Sequence, residues 1–403
     1  MANCKLQLET RLIHNNHSVD PGTGAVSVPI HHASTFHQAD VDAFGKYDYA
    51  RSGNPTREAL EDTIAQLEGG TRGFAFSSGM AAISTVFLLL SKGDHVIVSE
   101  DVYGGTFRVL TEVLSRFGIE HSFVDTSDLK QIEGSLQPNT KVIYVETPSN
   151  PLLKVSNLRA ICELAKKNNC LTFVDNTFLT PILQRPLELG ADIVIHSATK
   201  FIAGHSDVVA GLAVVRDEQL AEKLAFLQNT FGAVLGVQDS WLVLRGLKTL
   251  HVRLKQSQQS AGVLAYFFDR HPAVKQVYYP GLENHQGHAA HFQQASGAGA
   301  VLSFRLAGEA QVKQLVERLT IPVFAVSLGA VESILSYPAK MSHAAMPEAE
   351  REKRGIHGGL LRLSVGLENI DDLLADFTTA LDAIAEGRTS AENTDYRWNR
   401  GAV

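Results

Sequence analysis

Cysteine is scarce in this 403-residue chain: Cys4, Cys162 and Cys170 form no C-x-x-C pair, which excludes a disulfide framework and a zinc ribbon and fits a reducing compartment. Basic runs are missing as well. Lys and Arg number 36 against 43 Asp and Glu, a net charge of −7, so no stripe exists to displace counterions from a phosphate backbone, and nucleic acid is excluded as a partner. Long hydrophobic stretches are absent: apolar segments such as 81–90 contain Ser or Thr and fall short of the ~20 residues that span a bilayer. The opening MANCKLQLET lacks the apolar core of a secretory signal, so the expectation is a cytoplasmic protein with no membrane contact. There is no H-E-x-x-H and no G-x-S-x-G, and Gly297-Ala298-Gly299 precedes a strand where a dinucleotide fingerprint would follow one. His285, His288 and His291 recur at i, i+3 and i+6, and His14 and His17 also lie close together, but without a carboxylate partner they read as solvated helix histidines, and no metal is expected.

What is present is ordinary globular material, 44% hydrophobic and 20% charged, with length for two domains at roughly 100–200 residues each. Between 56 and 215, helical and strand patterns alternate. A helix is expected from Asn54-Pro55-Thr56 to a Gly69 cap, with Leu60, Ile64 and Leu67 on one face. Apolar runs at 73–76, 95–99, 141–145, 171–174 and 192–195 read as buried strands separated by helices, the pattern of an open α/β sheet. Residues 218–270 read as long helices, and strand-like 301–306 and 361–365 belong to a second, smaller α+β unit. The organisation expected is an irregular arm over 1–55, a large domain over 56–255, a small domain over 256–386, and a polar tail over 387–403.

In an open α/β sheet, ligands bind beyond the carboxyl ends of the strands. After 141–145 comes Glu146-Thr147-Pro148-Ser149-Asn150-Pro151; after 171–174 comes Asp175-Asn176-Thr177; after 192–195 comes His196-Ser197-Ala198-Thr199-Lys200. Carboxylates, hydroxyls, an amide and a lysine therefore converge on one rim, a set suited to a charged, phosphorylated cofactor. Ser197 and Thr199 can bind phosphate oxygens, and Lys200 offers an amine able to form a Schiff base with an aldehyde. A lone lysine would be a surface residue and a lone strand-end Asp a helix cap, but together they match pyridoxal phosphate, whose ring nitrogen a buried carboxylate keeps protonated. Ser77-Ser78-Gly79-Met80-Ala81 opens an apolar helix and makes a phosphate cradle, and Tyr103, in Asp101-Val102-Tyr103-Gly104-Gly105, can stack on a flat ring.

These motifs carry a specific resemblance. Tyr49-Ala50-Arg51-Ser52-Gly53-Asn54-Pro55-Thr56-Arg57, Ser78-Gly79-Met80-Ala81, Val102-Tyr103-Gly104-Gly105-Thr106, Glu146-Thr147-Pro148-Ser149-Asn150-Pro151, Val174-Asp175-Asn176-Thr177, Ser197-Ala198-Thr199-Lys200 and Leu361-Arg362-Leu363-Ser364-Val365-Gly366 together resemble the cysteine and methionine metabolism family of pyridoxal-phosphate enzymes, over about residues 8–385. The resemblance implies the aspartate-aminotransferase-like fold (type I), with a mostly parallel seven-stranded sheet in the large domain, and a homotetramer built as a dimer of dimers with shared sites. It implies that Lys200 carries the cofactor, Asp175 pairs with the ring nitrogen and Tyr103 stacks. Gly79, Met80, Ser197 and Thr199 would hold the phosphate, with Thr177 also at the cofactor. Tyr49 and Arg51 would reach the phosphate bound by a neighbouring subunit. Arg362, helped by Asn150 and Ser327, would grip the α-carboxylate of a sulfur amino acid, where a guanidinium fork gives bidentate geometry.

The family's reactions divide at the carbon that loses sulfur. Methionine γ-lyases of the family carry Cys just after the stacking Tyr-Gly, where this chain has Gly105, and many γ-enzymes carry Glu before Ser-Leu-Gly, where it has Val326. The stretch 325–343 resembles the family's Gram-positive β-lyases, implying β-elimination of L-cystathionine to homocysteine, pyruvate and ammonia. The alternatives are γ-cleavage to cysteine and 2-oxobutyrate, a γ-synthase or sulfhydrylase, or a catalytically silent binding protein. The last would be expected to have lost Lys200 or Asp175, and both are present.

Overall fold

A computed structural model describes residues 6–14, 19–344 and 346–387; apart from Gly387, the expected polar tail lies outside the described residues. Local chemistry sets the first long helix. Asn54 Oδ1 accepts from Thr56 N–H at 2.9 Å and Arg57 N–H at 3.4 Å, Pro55 opens helix Pro55–Glu68, and Gly69 ends it in the left-handed region at φ 74°. Leu60, Ile64 and Leu67 are fully buried, which at ~2–5 kcal/mol per Leu-to-Ala truncation makes this face a main anchor of the sheet.

The sheet has seven strands: β1 (Arg72–Phe76), β2 (His95–Ser99), β3 (Glu120–Val124), β4 (Thr140–Glu146), β5 (Leu171–Asp175), β6 (Ile193–Ser197) and β7 (Gly211–Val215), in the order β1-β7-β6-β5-β4-β2-β3. β2 pairs in parallel with β3 and β4, β4 with β5, and β5 with β6, while β7 runs antiparallel to both neighbours. Helices cover both faces, so the inner strands are buried at nearly every position and lack alternation. Two strands of this sheet lie outside the apolar runs read from the sequence. β3 is an edge strand containing Glu120, His121 and Ser122, with no apolar run to reveal it, and β7 follows the Lys200 loop without the usual crossover helix.

Helices Glu218–Phe231, Val237–Leu247 and Leu250–Arg270 lead to a second sheet of β8 (Gln276–Tyr278), β9 (Val301–Arg305), β10 (Val323–Phe324), β11 (Ile334–Ser336) and β12 (Leu360–Ser364), ordered β10-β11-β12-β9-β8. Its core includes Phe268, stacked on Phe304 at 4.5 Å between ring centroids and edge-on to Phe377 at 4.9 Å. Leu361 and Leu363 belong to that core, and strand alternation turns Arg362 between them to the opposite face. Among the described residues of the N-terminal arm is a short helix, Leu8–Ile13, whose Leu12 is buried with Leu60 and Ile64. The histidine trio needs correcting: His291 is fully buried and donates from Nε2 to Gly297 O at 2.8 Å, and His288 donates to Pro280 O at 2.9 Å. They tie down the turns around helix His288–Gln294 instead of facing water.

Candidate active site

Parallel pairing brings the carboxyl ends of β4, β5 and β6 side by side, with Glu146 and Asp175 in register as partners. Asp175 is buried. Its Oδ1 accepts from the Thr177 N–H at 3.0 Å and the Thr177 hydroxyl at 2.5 Å, and Oδ2 accepts from Tyr144 OH at 3.3 Å. Burial raises its carboxyl above the ordinary range, opposed by the two Thr177 bonds and by His196 behind it. Thr177 bridges β5 to β6: its hydroxyl gives its one proton to Asp175 and accepts from Ser197 N–H at 2.8 Å.

Glu146 is the neighbour that sequence reasoning left without a role. Its Oε2 accepts the Tyr103 N–H at 3.0 Å, fixing the turn that presents the Tyr103 ring, which is 40% exposed and no core residue. Burial, reinforced by the charge of Asp175, holds Glu146 well above the usual carboxylate range. Its signal in the sequence was the same as that of Asp175, a carboxylate directly after an apolar run.

Lys200 follows β6 and donates from Nζ to Ser327 Oγ at 2.6 Å. Burial, then the positive charge of Arg362, pushes its amine down to about 8. Ser327 is held at φ 89°, a conformation rare outside glycine, and its carbonyl oxygen accepts from Arg362 Nη2 at 2.7 Å. Arg362 also donates to Asn150 Oδ1 at 2.7 Å and Ser336 Oγ at 3.2 Å, while its buried Nε has no partner. Its hydrogen bonds run to neutral oxygens of Asn150, Ser327 and Ser336, and burial lowers it to about 10 against the opposing pull of Glu146. A buried cation bonded only to neutral groups is a receptor for an anion.

Around Gly79 two turns meet. Ser78 caps helix Gly79–Phe87 through the Ala81 N–H at 3.0 Å, and a Cβ on Gly79 would stand 2.9 Å from Ser197 Cβ and Oγ, so only glycine lets the two turns close on each other. At Gly105 a Cβ would lie 2.5 Å from Met80 Sδ and 2.6 Å from Tyr103 Cε1, which ties the small residue there to the position of the ring. The Thr199 hydroxyl accepts from Ala210 N–H at 2.9 Å and donates to Ala210 O at 3.2 Å. Tyr49 and Arg51 are exposed and, among the described residues, bond to no other member of the site: Arg51 donates to Asn229 O at 2.9 Å and lies 5.6 Å from the Tyr49 ring centroid.

An amine, a buried carboxylate, a stackable phenol and a helix N-terminus on one rim fit a phosphorylated pyridine aldehyde, and with this sheet order they define a type I pyridoxal-phosphate enzyme. The profile of the Cys/Met metabolism PLP-dependent enzymes matches residues 9–382, and the chain belongs to that family. It is 69% identical over 378 residues to cystathionine beta-lyase MetC of Bacillus subtilis, covering 94% of this chain and 97% of that one. It is 50% identical over 379 residues to the cystathionine gamma-lyase of the same organism, covering 94% and 100%. Among solved structures, cystathionine gamma-lyase from Lactobacillus plantarum complexed with L-serine superposes with a TM-score of 0.92 at 47% identity, covering 94% of this chain and all of that one. Among the described residues, no helix is long and apolar enough to cross a membrane.

Proposed function

We propose that this enzyme cleaves L-cystathionine by β-elimination, consuming one water and releasing homocysteine, pyruvate and ammonia. The observation that carries the choice of branch is the 69% identity to a cystathionine beta-lyase, against 50% to a gamma-lyase of the same organism. When bound, pyridoxal phosphate supplies an electron sink for the carbanion left when the α-proton is removed.

The chain's own residues do the rest. Lys200 would hold the cofactor through its amine, and the same amine, lowered to about 8, is suited to take the substrate's α-proton. Asp175 would keep the ring nitrogen protonated, and Tyr103 would stack on the ring. Gly79, Met80, Ser197 and Thr199 would hold the phosphate, and Thr177, also at the cofactor, braces Asp175 through its hydroxyl. Arg362 binds the α-carboxylate, oriented by Asn150 and by Ser327, which also places the Lys200 amine.

The exposure of Tyr49 and Arg51 supports a site completed across a subunit boundary, within a homotetramer of two such dimers, and we place the enzyme in the cytoplasm. The division into an arm over 1–55, domains over 56–255 and 256–386, and a tail is part of this reading. Incubation with pyridoxal phosphate and L-cystathionine tests it: pyruvate with homocysteine is expected, and 2-oxobutyrate with cysteine would move the enzyme to the γ-lyase branch.

A further inference from the structure

Beneath the rim lies a second polar layer that the proposed chemistry does not use. Alternation along β6 turns His196 to the face shared with Val194, against helix Pro55–Glu68, while Asp175 shares the opposite face with Phe173. On the helix side His196 Nε2 bonds Glu68 Oε1 at 2.7 Å, and both side chains are wholly buried. Asn176 Nδ2 donates to the same Glu68 oxygen at 3.2 Å and to Gln184 O at 2.8 Å, and Asn176 Oδ1 accepts from Gln184 Nε2 at 3.0 Å. The other Gln184 proton goes to Thr147 O at 3.2 Å, and the Asn176 N–H to Ile195 O at 2.9 Å. Thr147, Asn176 and His196 each adjoin a rim residue in the chain: Glu146, Asp175 and Ser197.

Stability does not account for this layer. Glu68 closes its helix, where a carboxylate opposes the helix dipole. A buried charged or polar pair forfeits solvation that apolar side chains of the same volume would not. The network is also incomplete, since Glu68 Oε2 and His196 Nδ1 are buried without partners among the described residues, and a half-satisfied polar cluster is less stable than an apolar one. What it does accomplish is orientation. Asn176 has both amide protons and its oxygen engaged, and it stands between Asp175 and the Thr177 hydroxyl that bonds Asp175 Oδ1.

We propose that Glu68 and His196 are positioning residues for the reaction, fixing through Asn176 the turn that aims the Asp175 carboxylate at the ring nitrogen of the cofactor. The inference rests on the role given above to Asp175. Neither residue touches substrate, cofactor or the reacting atoms.

The test uses the holoenzyme loaded with pyridoxal phosphate carrying ring nitrogen-15, whose resonance reports whether that nitrogen is protonated. Glu68→Leu and His196→Phe should move the resonance toward the unprotonated position. They should lower kcat on the order of tenfold to a hundredfold, the range outer-layer partners show elsewhere, and leave KM for cystathionine within about threefold. Glu68→Gln, which keeps an oxygen for Asn176, should restore most of both. Asn176→Ala, which cuts only the link and leaves the buried pair in place, should reproduce the shift even where the first two variants fold poorly. Asp175→Asn serves as the reference. If it shifts the resonance while Glu68→Leu, His196→Phe and Asn176→Ala leave it in the wild-type position, the buried layer is structural and the inference falls alone. If Asp175→Asn itself leaves the resonance unmoved, the role of Asp175 falls and takes the inference with it.

Discussion

Arg362→Leu separates substrate recognition from cofactor binding. The guanidinium is 3% exposed, donates at 2.7 Å to Asn150 Oδ1 and Ser327 O and at 3.2 Å to Ser336 Oγ, and among the described residues faces no paired carboxylate. A bound α-carboxylate is then the anion that neutralises it. Removing one partner of a buried, hydrogen-bonded charge pair costs about 2–5 kcal/mol. Taking about 3 kcal/mol at ~1.4 kcal/mol per decade, kcat/KM for cystathionine should fall on the order of a hundredfold. The fold should tolerate the change, because the acceptors left unpaired at Asn150 and Ser327 are offset by loss of a buried charge that is hydrogen-bonded only to neutral groups among the described residues. A second effect follows from the same contact. Arg362 is, after burial, the cause that depresses Lys200, so Arg362→Leu should move that amine up from about 8, whereas Arg362→Lys, which keeps a charge, should move it less. Initial rates of pyruvate release across cystathionine concentrations measure the first effect, and the pH dependence of cofactor capture by stripped protein measures the second. A variant that holds its cofactor and keeps kcat/KM within about threefold of wild type would refute the carboxylate assignment.

The rate at which cofactor-free protein captures pyridoxal phosphate should rise with pH to a midpoint near 8, because the neutral amine of Lys200 is the nucleophile; a midpoint above the ordinary 10.5 would contradict its burial. Over that same window the unfolded chain binds a proton that the folded one does not, so the cofactor-free protein should also gain stability as pH rises from about 8 to 10.5, measurable by denaturant titration. Arg51→Ala and Lys200→Ala should each be nearly inactive, yet mixed after dissociation and reassembly they should regain up to about half the activity per dimer, since one site then draws intact residues from both chains; no recovery would place Arg51 in its own subunit's site. Val326 is 64% exposed, so Val326→Glu should fold normally and increase the share of 2-oxobutyrate over pyruvate, while an unchanged product ratio would remove position 326 from the choice between Cβ and Cγ.

Much of the site was legible because its residues sit where strands end, and strand ends are marked by apolar runs stopping at a polar residue. Asp175, Ser197 and Lys200 were recognisable in this way, and so were the helix start at Asn54 and the left-handed cap at Gly69, which depend on neighbours a few positions away. Edge strand β3 was not, since an edge is covered on one side only and tolerates Glu120 and His121.

Tertiary structure decided what local pattern has no means to encode. Arg362 becomes a receptor only when β12 carries it, across 212 positions of chain, to Asn150, and Ser327 reaches Lys200 over 127. Glu68 and His196 lie 128 positions apart, and neither differs in sequence from a surface residue until helix Pro55–Glu68 packs on the sheet and takes both out of water. The bracing of Asp175 by Thr177 has the same origin: a hydroxyl has one proton to give, and the turn between β5 and β6 delivers it to Asp175 while Ser197 N–H donates to the same oxygen. Residue type and local order thus set which chemistry was available to this chain, because they depend on short-range sterics and hydrogen bonding. Which groups share a dielectric, a charge and a hydrogen bond depended on the packing of distant segments, because burial and electrostatic coupling act through space and not along the chain.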